Sequence, residues 1–345
     1  MARDLLDRAG VSGRIPSGAA VSLKPNLVVA RPADGGATTH PEAVAGVIEH
    51  LRDNGVREIR ILEGSWVGDS TKRAFANCGY DQLAKRYGVS LHDLKDDDPV
   101  PVDTPFGPIR VCKLARDAEF LINLPVLKGH CQTRMTCAVK NLKGCIPDSE
   151  KRRFHREGLD RLVAGLAFAI RPALTLVDGI CGDLDFEEGG NPVFAGRMAL
   201  SDDMLAVDAL GCRWLGIDPR EVGYLRHAES QGAGALEVDA SGIVELNRPD
   251  QSATPAPTGK AARIAGRIER RNACSACFAN LVHALRRLDE SGVSIPAPIR
   301  VGQGFRGKPL SGLGVGDCCS GAERFIAGCP PSALAVVESL SGNFT

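Results

Sequence analysis

Apolar and polar residues follow one another in blocks whose spacing alternates between strand-like and helix-like periods. Ala20 to Val29 is an apolar run that reads as a buried strand, and a polar Pro/Gly loop follows it. His40 to Asn54 then carries Val44, Val47, Ile48 and Leu51 at the i, i+3, i+4, i+7 spacing of one helical stripe, with Gly55 placed to end the helix. Arg57 to Leu62 alternates as a strand, completing a β-α-β unit whose expected closure is a right-handed crossover onto a parallel sheet. The same grammar predicts a helix over Thr71 to Tyr87, strands at Ile109 to Lys113 and Glu119 to Leu124, and a helix over Glu157 to Ile170. A strand at Ala173 to Val177 and a helix over Asp203 to Leu215, begun by Ser201 or Asp202 as N-cap, complete the series. The expected fold class is α/β, with a doubly wound, mostly parallel sheet spanning residues 1–246. From Asn247 to Lys260 the residues turn to Pro, Ser, Thr, Ala and Gln, so 247–262 is expected to be a linker. Residues 263–345 are then a smaller C-terminal α/β domain, rich in cysteine.

The chain has 345 residues, enough for two domains, and 42 basic residues balance 42 acidic ones. No global positive field exists to attract nucleic acid or a membrane surface, so neither is an expected partner. The longest apolar run, Leu162 to Ile170, is broken by Gly165 and falls far short of the roughly 20 residues of a spanning helix. The first residues lack the long apolar core of a secretory signal, and a cytoplasmic location is expected. Twelve cysteines are too dilute and uneven for a secreted disulfide scaffold, and clustered cysteines in a reducing compartment more often bind metal.

The clustering is at the C-terminal end. Cys274 and Cys277 form a CxxC at or near the start of a helix that carries Leu281, Leu285 and Leu288 on one side, where the helix dipole and exposed N–H groups favour thiolates. Gly316-Asp-Cys318-Cys319 and Gly328-Cys329-Pro-Pro each put cysteine beside glycine in a loop. Four such thiolates suit a cubane 4Fe-4S cluster, with Cys274, Cys277, Cys318 and Cys329 as ligands and Cys319 as the alternate to Cys318. Zinc and structural thiols remain alternatives for the same set.

A second constellation follows the strand that ends at Leu124. Lys128, His130, Thr136, Lys140 and Asn141 supply cationic and neutral donors suited to a carboxylate or phosphate. Loops at the carboxyl ends of strands form the ligand crevice of an open α/β sheet. Lys128, His130 and Lys140 are the candidate catalytic residues. Lys24 and Asn26, at the end of the first strand, join Thr136, Asn141 and Asp178 as candidate substrate-binding residues. Glu187, Glu188, Asp202 and Asp208 lie further on and could face the lysines, although turn and cap roles serve them equally.

Several of these segments, in the same order, resemble the domain of unknown function 362 family. They are Ser22-Leu-Lys24-Pro-Asn26, Leu124-Pro-Val-Leu-Lys128-Gly-His130, Thr136 followed by Lys140-Asn141-Leu-Lys-Gly144, Leu176-Val-Asp178-Gly and Asp203-Met-Leu-Ala-Val-Asp208. Where that family is expected to show Glu-Gly-Asp-Gly-Pro, this chain has Glu188-Gly-Gly-Asn-Pro192, which removes an acidic residue and weakens a metal role there. The run from Cys274 to Leu281, the Gly-Asp-Cys and the Gly-Cys-Pro-Pro-Ser look like the C-terminal extension of some anaerobe members. The Gly-Cys-Pro-Pro turn is also similar to one near clusters in small subunits of nickel-iron hydrogenases and their complex I relatives. The resemblance implies iron-sulfur modules and no settled reaction.

One signal is discounted. Gly302-Gln-Gly304-Phe-Arg-Gly307 matches a dinucleotide fingerprint in letters, yet Lys308-Pro-Leu-Ser-Gly, a loop sequence, follows where a helix must open. The reading is an iron-sulfur oxidoreductase or electron-transfer protein acting on an anionic small molecule, with an electron-donor protein as further partner. The alternatives are a cluster-dependent hydro-lyase or isomerase, which needs an open iron site, and a zinc-stapled ligand-binding or maturation protein.

Overall fold

The structure, a computed structural model, describes residues 1–130, 132–183, 187–190, 192–247, 264, 267–273 and 275–341. Cys274 and all of the expected linker except Asn247 therefore lie outside the described residues.

In chain order the first part contains α1 (Ala2–Arg8), β1 (Val21–Pro25), α2 (Pro41–Asp53), β2 (Ile59–Glu63), α3 (Thr71–Asn77), α4 (Tyr80–Tyr87) and β3 (Ser90–Asp93). There follow β4 (Pro99–Val102), β5 (Ile109–Cys112), α5 (Lys113–Arg116), β6 (Phe120–Leu124), β7 (Lys128–His130), β8 (Arg134–Thr136), α6 (Ala138–Asn141), α7 (Asp148–Glu157) and α8 (Leu159–Ala169). Then come β9 (Leu174–Asp183), β10 (Pro192–Ser201), α9 (Met204–Trp214) and α10 (Gly223–Ser230). Six strands form one sheet in the order β10-β9-β6-β1-β2-β3, parallel except for the antiparallel edge strand β10. Chain order reverses between β1 and β6, where Val21 stands opposite both Ile59 and Phe120. That reversal is the switch point at which ligands of doubly wound sheets sit.

Alternation along the strands divides the apolar residues between two cores. Val21, Leu23, Ile59, Ile61, Phe120 and Ile122 pack with α2 and α4 on one face. Leu62, Leu121 and Val177 pack with α8, α9 and α10 on the other. The expected doubly wound, mostly parallel α/β fold is thus found.

Local departures have local causes. The single helix expected over Thr71 to Tyr87 is two, because Gly79 takes φ 81° between them. The strand expected at Ile109 forms, but it pairs antiparallel with β4 in a separate ribbon; Pro99 and Pro101 of β4 lack the N–H groups of an interior strand.

Residues beyond the linker build a second sheet of four parallel strands, β11 (Ile268–Arg270), β12 (Ile299–Val301), β13 (Leu310–Val315) and β14 (Ala322–Ile326), in sequential order. Leu281, Leu285 and Leu288 of the helix Ser275–Glu290 join Ile299, Val301 and Val315 in its own core, as their spacing predicts. The Gly302 to Gly307 segment opens into no helix: a 3-10 turn at Gln303–Phe305 leads to β13. Added Cβ atoms would meet the Arg271 carbonyl oxygen at 2.2 Å from Gly302 and the Arg271 Cβ at 2.7 Å from Gly304, so these glycines admit the segment just before Cys274. Among the described residues no helix is long and apolar enough to cross a membrane.

Candidate functional site

The carboxyl ends of β1, β2 and β6 and the segments after them wall a cavity of about 520 Å³, a size suited to a small ligand. Its lining includes Asn26, Thr136, Lys140 and Asn141, four of the residues expected to bind ligand, and also Cys277 and Cys329 from the second sheet. Among the described residues of the lining, five cationic side chains (Lys140, Lys143, Lys151, Arg152 and Arg156) outnumber two carboxylates, Glu63 and Glu187. The excess favours an anionic occupant.

Lys140 and Asn141 owe their positions to the short helix α6. Asp208 on α9 caps it from a distance, accepting the Ala138 N–H at 2.5 Å and the Val139 N–H at 3.1 Å. Burial pushes the Asp208 carboxyl up to about 7. Asn141 donates to the Lys24 carbonyl at 3.2 Å and to Asn123 Oδ1 at 2.8 Å, tying α6 across the switch point. Lys140 Nζ donates to Thr136 Oγ1 at 3.1 Å and lies 2.9 Å from Glu187 Oε1.

Glu187 gathers the three residues expected to be catalytic. Its other carboxylate oxygen, Oε2, is 2.7 Å from His130 Nε2, and its backbone carbonyl accepts from Lys128 Nζ at 2.7 Å. His130 Nδ1 already accepts the N–H groups of Gln132 and Thr133, so the ring proton resides on Nε2 and the imidazole is neutral. Burial pushes His130 down to about 4, in keeping with that arrangement. Burial alone would raise the Glu187 carboxyl, yet His130 and Lys140 hold it well below the usual carboxylate range.

Lys128 is wholly buried behind this layer, donating also to the Ala37 carbonyl at 2.5 Å, and burial lowers its amine to about 7. It supports the Glu187 backbone and does not line the cavity. Lys24 is also absent from the lining, because its Nζ is taken by Glu63 Oε1 and the Pro25 carbonyl, each at 2.8 Å. Asp178 accepts the His40 N–H at 2.7 Å, His40 Nδ1 at 2.8 Å and the Ile180 N–H at 3.0 Å, which fixes the entry to α2. The structure thus gives Lys24, Lys128 and Asp178 supporting positions, while Asn26, Thr136, Lys140 and Asn141 face the cavity.

Sequence reading missed the contribution of α7. Lys151 donates to the carbonyls of Gly64 and Ser65 at 3.2 and 2.8 Å and to Asp148 Oδ1 at 3.1 Å, fastening α7 to the end of β2. Lys143 Nζ lies 2.7 Å from His155 Nε2, and burial together with the Lys143 charge pushes His155 down to about 3. The clue was the basic run Lys151-Arg-Arg-Phe-His-Arg156, which has too few apolar positions to read as a core helix.

The described thiols of the C-terminal set stand at the carboxyl ends of the second sheet's strands, and Cys277 and Cys329 among them line the cavity. Cys277 is in the first turn of the helix after β11, Cys318 in the turn after β13, and Cys329 follows β14. The loops are laced together: Asp317 N–H donates to the Gly328 carbonyl at 3.0 Å, and Gly328 N–H to Asp317 Oδ1 at 2.7 Å. At Gly316, with φ 88°, a Cβ would lie 3.3 Å from Cys277 Sγ. Cys318 and Cys319 part company: Cys319 is buried with its Sγ toward the Arg300 carbonyl, while Cys318 is half-buried and accepts from Arg306 at 3.4 Å. Among the described residues no three His, Cys, Asp or Glu side chains are grouped to hold a metal ion.

Comparison with known proteins places the basic half of this site in a family. The domain of unknown function (DUF362) matches residues 21–213, which include every expected polar site residue; Cys277, Cys318 and Cys329 lie beyond the match. The chain is 31% identical over 242 residues to the thylakoid-associated protein sll1697 of Synechocystis, covering 67% of this chain and 74% of that protein. Among solved structures it is similar to the lactate racemase apoprotein of Thermoanaerobacterium thermosaccharolyticum, with 13% identity, a TM-score of 0.38, and coverage of 66% of this chain and 54% of that one. A Thermotoga maritima protein gives 12% identity, a TM-score of 0.38, and coverage of 63% and 59%. The chain thus spans less than two thirds of either solved relative. Motif order and the match over residues 21–213 agree, and the chain belongs to the DUF362 family.

Proposed function

We propose that this protein holds a 4Fe-4S cluster on Cys274, Cys277, Cys318 and Cys329, and that it is an oxidoreductase or electron-transfer protein acting on an anionic small molecule in the adjoining cavity. The observation that carries this reading is that Cys277 and Cys329 line the same cavity as Lys140 and Lys143.

The residues present fit such a group. Thiolates are its ligands; Cys318 and Cys329 stand in glycine-bearing loops at one edge of a sheet, with Cys277 in a first helical turn where ionisation is favoured. When bound, the cluster supplies one-electron transfer.

The chain's own residues do the rest. Lys140, oriented by Thr136 and Glu187, presents its ammonium to the anion as charge partner and proton donor. His130 keeps Glu187 in place by holding its Nε2 proton against Oε2. An electron-donor protein completes the proposed cycle.

The test is iron and acid-labile sulfide in full-length protein purified without oxygen. About four of each per chain is expected. Zinc without iron or sulfide overturns the redox reading in favour of a stapling metal.

A further inference from the structure

Arg152 and Arg156 lie one turn apart on α7 and both line the cavity beside Lys143. Both are exposed, and neither has a hydrogen bond or ion pair among the described residues. Arg153, between them in sequence, is different: its guanidinium takes Glu150 at 2.8 Å and Glu157 at 3.0 Å. The helix carries carboxylates for the arginine on its other side and none for the two that face the cavity.

Solvated surface charge is the ordinary explanation of an exposed arginine. Two observations weigh against it here. Like charges at i, i+4 destabilise a helix by a few tenths of a kcal/mol, about 0.2–0.5, so the unpaired arrangement has a cost that a bound anion removes. Neither lining carboxylate is available, since Glu63 serves Lys24 and the N–H groups of Leu27 and Gly64, and Glu187 serves His130 and Lys140.

Two guanidinium groups one turn apart on α7, with no carboxylate partner among the described residues, exceed what a carboxylate, with a single charge and two oxygens, can satisfy. A phosphate monoester carries nearly two charges and three terminal oxygens, and guanidinium groups bind it bidentately. We propose that the cavity's ligand carries a phosphoryl group, gripped by Arg152 and Arg156, with its remaining part extending inward to Lys140 and Thr136. This deepens the function proposed above and rests on it for the cavity being a ligand site.

Trp66 lines the same cavity and is 38% exposed, so its fluorescence reports occupancy. Full-length protein purified without oxygen is titrated with 3-phosphoglycerate, inorganic phosphate and succinate, with Trp66→Phe as the signal control. The two phosphates are expected to quench saturably and succinate to bind about tenfold more weakly. Arg152→Gln/Arg156→Gln is expected to weaken phosphate binding by roughly tenfold or more, because each substitution removes charge-assisted hydrogen bonds to the anion. Arg161→Gln, an exposed change on α8 away from the cavity, leaves binding unchanged. Should the double variant melt early, Arg156→Gln alone carries the comparison. Succinate binding as tightly as phosphate, unchanged affinity in the arginine variants, or no saturable quenching by either phosphate overturns the proposal. Iron and sulfide counts on the same samples keep the readings separate: binding lost with the cluster intact removes only the phosphoryl grip, and binding retained without iron removes only the redox reading.

Discussion

Lys24 Nζ and Glu63 Oε1 meet at 2.8 Å at the carboxyl ends of neighbouring parallel strands, with side chains 0% and 3% exposed. Glu63 also accepts the Leu27 and Gly64 N–H groups at 2.7 Å each, so the pair fixes two chain turns at the cavity wall. Gly144 presses against it, since a Cβ there would stand 2.4 Å from Glu63 Oε1 and 2.6 Å from Lys24 Nζ. A buried pair of this kind contributes little over an apolar replacement, but breaking one partner strands a buried charge at about 3–5 kcal/mol. Glu63→Leu is therefore expected to lower stability by that order in urea denaturation, and Lys24→Met/Glu63→Leu to recover a large part of it. A loss below about 1 kcal/mol in the single variant contradicts the structural role given to Lys24.

His155 makes stability depend on pH. Its folded-state pKa, about 3, lies below the 6.5 of the unfolded chain. The unfolded state therefore binds the proton first as pH falls, so the contribution is whole above 6.5 and is lost as pH drops toward 3. At about 1.4 kcal/mol per unit, less a discount for solvent screening, it is on the order of 2–4 kcal/mol. His155→Gln keeps an acceptor for Lys143 and cannot titrate. Denaturation at pH 7 and pH 4.5 is expected to show a smaller acid loss in the variant than in the parent; equal losses contradict the burial argument.

The adjacent cysteines are expected to behave differently. Cys319 is buried, and burial pushes its thiol up, while Cys318 stands in the loop beside Arg306. Cys318→Ser is expected to lose most of the bound iron, and Cys319→Ala to retain it at a stability loss of about 1 kcal/mol or more. The reverse pattern in iron content assigns the ligand to Cys319.

The parallel sheet was legible because strand and helix periods alternate cleanly from Ala20 to Leu215. The antiparallel edge strand β10 was not, since its residues, from exposed Phe194 to half-buried Arg197, show no strong alternation. At the site, Thr136, Lys140 and Asn141 line one cavity, as their proximity in sequence suggests. What sequence could not show is how each cation is spent. Lys24 and Lys128 look like ligand groups until their partners, 39 and 59 residues away, are seen to be Glu63 and the Glu187 carbonyl. The convergence of Cys277 and Cys329 on the same cavity as Lys140 depends on two separate sheets meeting, which no local pattern encodes.

The central claim is a redox-active cluster at the wall of the basic cavity. The most direct measurement is the visible spectrum of full-length protein purified without oxygen, before and after dithionite, for the parent chain and for Cys277→Ser. Broad absorbance near roughly 400 nm that bleaches on reduction, and is lost in Cys277→Ser, is the expected result. A colourless parent protein, or a chromophore that survives Cys277→Ser unchanged, contradicts the account.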